Sequence, residues 1–364
     1  LEIREVRAGY LNLELKEPFT IALGTVTEAK NVVVEIETDS GLVGFGEAAP
    51  MPIVTGDFQE ATLQGILQFL RPLLLGKDPR QISMISSLMD KVLKGNPAAK
   101  VAVEMALFDL LGKIYRMPLY ILWGGNANSF ESDYTISIDE PDIMAEKVEP
   151  LLEKGYTALK VKVGQDGKED VKRIAAVSRA VNGRALIRID ANQGWGIKEA
   201  VAAIQEMEKF DVELVEEPIL KGNLDGMAFI RDRVKVPIMA DETVFSPKDA
   251  LEVIKAGAAD LINIKLMKAG GLLAARKIDA IASTAGLECM VGCMIESRLS
   301  VTAAAHLVAS SPNITRADLD APGFLRSDPI IGGIEIKGGL CTLPEKPGLG
   351  IELNRQEVKF VDNT

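Results

Sequence analysis

From about residue 131 to 320, short β-rich runs alternate with longer runs whose apolar residues recur at helical spacing. That alternation is the pattern of parallel strand-helix units. The predicted strands are Asp133–Ile138, Ala158–Val163, Ala185–Asp190, Glu213–Glu216, Pro237–Ala240, Leu261–Ile264, Glu288–Val291 and Thr315–Asp318, about 24 to 28 residues apart. Eight at that period fit a closed barrel better than an open sheet. Helix starts are signalled by Ser246-Pro247 and by Asp139-Glu140-Pro141 before DIMAEKVEPLLEKG, which ends at a glycine.

The first 125 residues follow a different pattern. Alternating strands are predicted near residues 2–15, at Asn31–Thr38 and at Leu42–Glu47, with a hairpin turn at Asp39-Ser40-Gly41. Helices are predicted over Glu60–Leu75, Ile82–Leu93 and Ala98–Tyr115. The Gly- and Pro-rich segment from about Pro329 has short alternating apolar runs suited to pairing with these strands. The expected architecture is an α/β fold: a modified (β/α)7β barrel over 126–328, an N-terminal α+β capping domain over 1–125, and a segment over 329–364 that returns to the cap.

Composition narrows the function. The chain has 364 residues, 47% apolar and 26% charged, enough for one large domain and a smaller one. Its net charge of −11 argues against nucleic acid or an anionic membrane as partner. No apolar run nears the length that crosses a bilayer, and the three cysteines, Cys289, Cys293 and Cys341, suit a reducing compartment, so a cytoplasmic protein is expected. The only histidine, His306, lies in the helix-like run LSVTAAAHLVAS, which leaves catalysis to other groups.

Those groups stand at strand ends: Lys162 in TALKVKV, Asp190 in LIRIDAN, Glu216 in ELVEEP, Asp241 in PIMADET and Lys265 in LINIKLM. One such charge is commonly a solvated terminus, but five in succession converge on the barrel rim where chemistry is done. Asp190, Glu216 and Asp241 offer three hard oxygen ligands from neighbouring strands, suited to Mg²⁺ or Mn²⁺; salt bridges at the barrel ends are the plainer reading. Lys160 and Lys162 project to one face, so their repulsion should lower at least one pKa, with Lys160 an electrostatic helper. Lys162 and Lys265 come from strands across the mouth and can flank a metal-bound substrate, one removing a proton and the other delivering one. Lys268 reads as a loop residue beside Gly270 and Gly271.

In TALKVKVG, IDANQGW, VEEP, ADET, INIKLMKAGG and GCMIES the chain resembles the enolase superfamily, muconate-lactonising subgroup, over essentially its whole length. A lysine base beside bound magnesium is that superfamily's known arrangement. The resemblance implies one Mg²⁺ per subunit, and a homo-oligomer is expected. Asp318-Leu319-Asp320 resembles the DxD motif of the subgroup's dipeptide epimerases, which implies that both aspartates bind a substrate α-ammonium; a polar turn or second cation site is the alternative. The same resemblance implies that Thr135, Cys293 and Ile295 line the substrate cavity, the latter two through backbone groups. Members specific for Ala-Glu carry an arginine where this chain has Gly24, in the loop FTIALGTVT. A neutral or hydrophobic dipeptide is therefore the expected substrate, with the loop around Met51–Phe58 closing over it. Rival readings are a muconate-type cycloisomerase, an o-succinylbenzoate synthase, or a metal-stabilised binding barrel.

Overall fold

The computed structural model describes residues 1–361. Its central parallel sheet contains Tyr134–Ile136, Ala158–Lys162, Leu186–Asp190, Val212–Glu216, Ile238–Ala240, Leu261–Lys265, Glu288–Gly292 and Ile314–Asp318, each beside its neighbour in sequence. First and last strands meet where Asp133 N donates to Ala317 O at 3.2 Å. The eighth strand is followed only by the short helix Ala321–Phe324, which makes the barrel (β/α)7β.

Strand periodicity sorts the interior. Leu214, Met239, Leu261 and Met290 are buried in one apolar cluster. Two residues further along the same strands stand Glu216, Asp241 and Asn263, so the alternation that builds an apolar floor also carries polar groups to the mouth. The ladders pair Lys162 with Asp190 and Asp190 with Glu216, and on the far side Lys265 with Gly292 and Gly292 with Asp318. A Cβ on Gly292 would sit 3.0 Å from Lys265 Cε, so glycine there leaves the lysine its room.

The N-terminal sheet is antiparallel, ordered Lys359–Phe360, Ile3–Ile21, Gly24–Thr38 and Val43–Ala48. The expected hairpin at Asp39-Ser40-Gly41 is present, with Gly41 N bonded to Thr38 O. The expectation of a loop at FTIALGTVT is corrected: Phe19 pairs with Val26, Thr20 with Thr25 and Ile21 with Gly24, so the segment is a hairpin tip. Helix Pro97–Tyr115 is buried nearly all round. From it, Asp109 accepts from Phe45 N at 3.0 Å and Leu349 N at 2.9 Å, tying sheet, helix and C-terminal segment together.

Two expected helices are interrupted, each near a proline. In the first, Gly65–Leu70 is a π-helix between Gln59–Gln64 and Arg71–Leu74, because Pro72 cannot donate to Gln68 O and its ring crowds that carbonyl. The second divides into Pro141–Glu146 and Val148–Glu153, where Pro150 has no N–H for Glu146 O. By contrast, the helix after Ser246 forms as expected, its Oγ accepting from Asp249 N at 3.2 Å and Gly257 closing it at φ +60°. The C-terminal segment reaches the N-terminal sheet at Lys359–Phe360, while its Leu340–Thr342 pairs with Ser129–Glu131.

Candidate active site

Asp190, Glu216 and Asp241 are buried, and one oxygen of each lies within 4.8 Å of the others. The lysines stand at the two ends of this row. Lys162 Nζ is 2.5 Å from Asp190 Oδ2 and 3.1 Å from Asn192 Oδ1; Lys265 Nζ is 2.8 Å from Asp241 Oδ2. Lys160 Nζ sits behind, at 3.0 Å from Asp190, 2.8 Å from Glu216 and 2.7 Å from Asp318.

The expected depression of a lysine pKa is not found at Lys160. Burial alone would lower it, but the carboxylates of Asp190, Asp318 and Glu216 hold it well above the ordinary lysine range. Lys265 is likewise raised, burial being overcome chiefly by Asp241. At Lys160 and Lys265 repulsion is outweighed because each ammonium touches an anion. Burial opposes ionisation of Asp190 and Asp241 too, yet lysine ammoniums hold both below the usual carboxylate range. Glu216 differs: burial, then Asp190, push it up to about 8. Crowding of like charges at Glu216 is what a bound cation would relieve. Three hard carboxylate oxygens from neighbouring strands fit a small divalent cation such as Mg²⁺.

Supporting groups fix this row. Asn263 Nδ2 donates to Glu216 Oε1 at 2.7 Å, Asn192 N to Asp190 Oδ1 at 2.9 Å, and Asp241 N to Glu217 Oε2 at 2.7 Å. Asn192 and Glu217 adopt left-handed backbone at φ +40° and +36°, an uncommon conformation held by these bonds. Lys268 is corrected from a loop residue to a buried one: Nζ lies 2.5 Å from Asp241 Oδ1 and also bonds Asp241 O. Strand ends alone do not single out Asn192, Glu217 and Asn263, and they misplace Lys268. All lie inside the motifs quoted above, which was the signal available.

Lys162, Asp241, Lys265, Thr135, Cys293, Ile295, Asp318 and Asp320 line one cavity with Phe19, Met51 and Phe324. Asp320 Oδ2 accepts from Thr135 N at 2.6 Å, and burial followed by Asp318 lifts Asp320 to about 7. Burial and Asp318 hold the Cys293 thiol protonated, well above its ordinary range. The Ile295 carbonyl already accepts from Asn31 Nδ2 at 3.0 Å. Gly24 is not in that cavity. It borders an adjoining groove that shares Met51, Met294 and Ile295, walled by Leu23, Val26, Ile53 and Phe58. Its φ of +147° favours glycine, and a Cβ would meet nothing within 4 Å. The only histidine is structural: Nδ1 accepts from Tyr120 N at 3.1 Å, and burial lowers its pKa to about 3.

A (β/α)7β barrel with a carboxylate trio at its mouth between two lysines, under an antiparallel cap, defines an enolase-superfamily protein. Residues 3–124 match the family described as mandelate racemase / muconate lactonizing enzyme, N-terminal domain, and residues 143–358 match the enolase C-terminal domain-like family. The chain belongs to this mandelate racemase / muconate lactonizing enzyme family. It is 46% identical to the L-Ala-D/L-Glu epimerase of Bacillus subtilis over 96% of this chain and 97% of that one. It is 44% identical to the hydrophobic dipeptide epimerase of Enterococcus faecalis over 96% and 99% of the two chains. The solved Enterococcus faecalis dipeptide epimerase, complexed with Mg and L-Leu-L-Tyr, superposes with a TM-score of 0.95 at 44% identity, covering 97% of this chain and 100% of that one.

Proposed function

We propose that this protein is an isomerase, a Mg²⁺-dependent dipeptide epimerase that inverts the α-carbon of the C-terminal residue of an L,L-dipeptide. The observation that carries the reading is one cavity lined by Lys162, Lys265, Asp241, Asp318 and Asp320, with Asp190 and Glu216 completing the trio beside Asp241. Asp190, Glu216 and Asp241 would hold one Mg²⁺ per subunit, which when bound holds the substrate carboxylate and stabilises charge developing there. One of Lys162 and Lys265 takes the α-proton. The other, as an ammonium, returns a proton to the opposite face, with roles exchanged in the reverse direction.

Lys160 balances the charge of Asp190 and Glu216 beneath the substrate. Asp318 and Asp320 receive the dipeptide's α-ammonium, with charge-assisted bonds at each end of one ligand. Thr135 N–H orients Asp320, and Cys293 and Ile295 wall the cavity. Neither a muconate nor a succinylbenzoate precursor has an ammonium for the aspartate pair, and a binding barrel has no use for paired lysines.

The groove beside Gly24 supports a neutral or hydrophobic second residue: its wall offers Val26, Ile53 and Phe58, position 24 supplies no cation, and the charges in the same wall, Lys30 with Glu28 and Glu60, are of both signs. We take 1–125 as capping domain, 126–328 as catalytic barrel and 329–364 as the segment that completes the cap. Among the described residues no helix is long and apolar enough to cross a membrane. Three unpaired cysteines support a cytoplasmic location, and exposed apolar side chains such as Phe69 and Leu220 support a homo-oligomer. No nucleic-acid partner is proposed for so acidic a chain.

The test is incubation with Mg²⁺ and a mixed library of L,L-dipeptides in D₂O, read by mass spectrometry. Gain of one deuterium by neutral or hydrophobic dipeptides is expected. No gain in any dipeptide would overturn the reading.

A further inference from the structure

Behind the aspartate pair lies a third carboxylate that none of these steps uses. Asp133, Asp318 and Asp320 each offer an oxygen within 4.8 Å of the others. Asp133 is fully buried, and its Oδ1 has no hydrogen-bond partner among the described residues. Its Oδ2 is 2.8 Å from Arg188 Nη1, but the same guanidinium also serves Glu213 at 2.7 Å and Ala317 O at 3.2 Å. The other nearby cation, Lys160, is divided among Asp318, Asp190 and Glu216. Asp318 accepts from that lysine and Asp320 from the Thr135 amide, so each has a donor. Asp133 Oδ1 has no donor.

Resting on the dipeptide reading, we propose that Asp133 is a positioning residue of the ammonium site: it holds a proton until the dipeptide binds, and the incoming α-ammonium displaces that proton to solvent. The exchange balances: one positive charge enters the three-carboxyl cluster and one proton leaves it. Three carboxylates this close, away from water, cannot all ionise without another cation. Burial first, then Asp318, drives Asp133 well above the ordinary aspartate range, in keeping with this assignment. Asp320, lifted to about 7, titrates in the same cluster, and comparison with Asp133→Asn separates its proton from that of Asp133. Tyr134 and Cys341, raised by burial to about 12, and Tyr156, raised above its usual range, stay neutral. Asp133 also explains why the site prefers an ammonium to a neutral group, since only a cation compensates its ionisation.

The test uses the Mg²⁺-saturated enzyme and L-leucyl-α-aminoisobutyrate, which lacks an α-proton and so binds without turnover. At about pH 6 the free amine, with a pKa near 8, is fully charged, so a released proton comes from the protein. Calorimetric titration in buffers of different ionisation enthalpy is expected to show release approaching one proton per dipeptide. In Asp133→Asn the release should fall towards zero and binding should weaken. Equal release in both proteins, or none in the wild type, would overturn the inference. Should the variant not fold, the wild-type profile still tests the exchange: affinity should tighten by up to about tenfold per unit between roughly pH 5.5 and 7, a flat profile would refute it, and carbon-13 NMR of the aspartate carboxyls should show Asp133 losing its proton on binding. Absence of dipeptide binding altogether removes the epimerase reading and this inference with it, whereas binding without proton release removes this inference alone.

Discussion

Glu47, on the third strand of the cap sheet, accepts from both Ser297 N at 3.0 Å and Ser297 Oγ at 2.5 Å, joining the cap to the loop that follows the seventh barrel strand. The same carboxylate accepts from Asn31 Nδ2 at 2.7 Å, and that amide holds the Ile295 carbonyl at the cavity wall. Glu47→Ala leaves these buried donors unpaired and should cost on the order of 3 kcal/mol of stability. Because Asn31, which holds the Ile295 carbonyl, loses the acceptor that orients it, KM for dipeptides should rise more than kcat falls. A thermal melt with steady-state kinetics checks both. Unchanged stability and KM would show that the cap is held elsewhere.

Lys162 and Lys265 contact opposite members of the carboxylate row, Asp190 and Asp241. Replacing either by alanine should reduce epimerisation by about 100- to 10,000-fold, the usual contribution of a positioned acid or base. Inversion needs both faces, whereas exchange needs one. The two variants should therefore differ by substrate stereoisomer, each retaining α-proton exchange in D₂O with the isomer whose proton faces the surviving lysine. Full turnover in both variants would end the two-lysine scheme.

The barrel was legible because its strands recur at a fixed period and end in charges, and the ladder register then sets Lys162, Asp190 and Glu216 side by side. Less legible were groups whose role depends on burial. Lys268 follows a strand and precedes two glycines, which reads as a loop; only the folded chain turns its ammonium back onto Asp241. The raised pKa of Lys160 was not legible for a related reason. Adjacent lysines can be counted along a strand, but the three carboxylates that surround one of them come from other strands. FTIALGTVT is named a loop only through the family resemblance, although strand pairing continues to the tip at Ile21 and Gly24.

Gly24 lies at that tip, facing open space beside the apolar groove. Gly24→Arg should raise kcat/KM for L-Ala-L-Glu relative to L-Ala-L-Leu by about tenfold, the worth of one charge-assisted hydrogen bond. Its φ of +147° disfavours any side chain, so the variant should also lose about 1 to 3 kcal/mol of stability. Competition between the two dipeptides in one reaction measures the ratio directly. An unchanged ratio would place second-residue selection elsewhere in the cap.

Glu104 lies in the buried helix Pro97–Tyr115 and accepts from Leu273 N at 2.8 Å, where the cap helix meets the barrel. Burial raises its pKa from 4.5 to about 7. The folded state therefore binds this proton more tightly than the unfolded chain does. Its contribution to stability is fully present below 4.5 and is lost as pH rises through about 7. Glu47, also raised to about 7 by burial, adds a loss of the same sign over the same window. The melting temperature of the wild type should thus decline between about pH 4.5 and 8 by roughly 2 °C or more from these two groups. Glu104→Gln removes one of the two titrations, so its melting temperature should fall less steeply with pH than that of the wild type, whatever its absolute stability. Parallel pH profiles for the two proteins would mean that Glu104 is already ionised in the fold, with the Leu273 amide and its neighbours holding the charge.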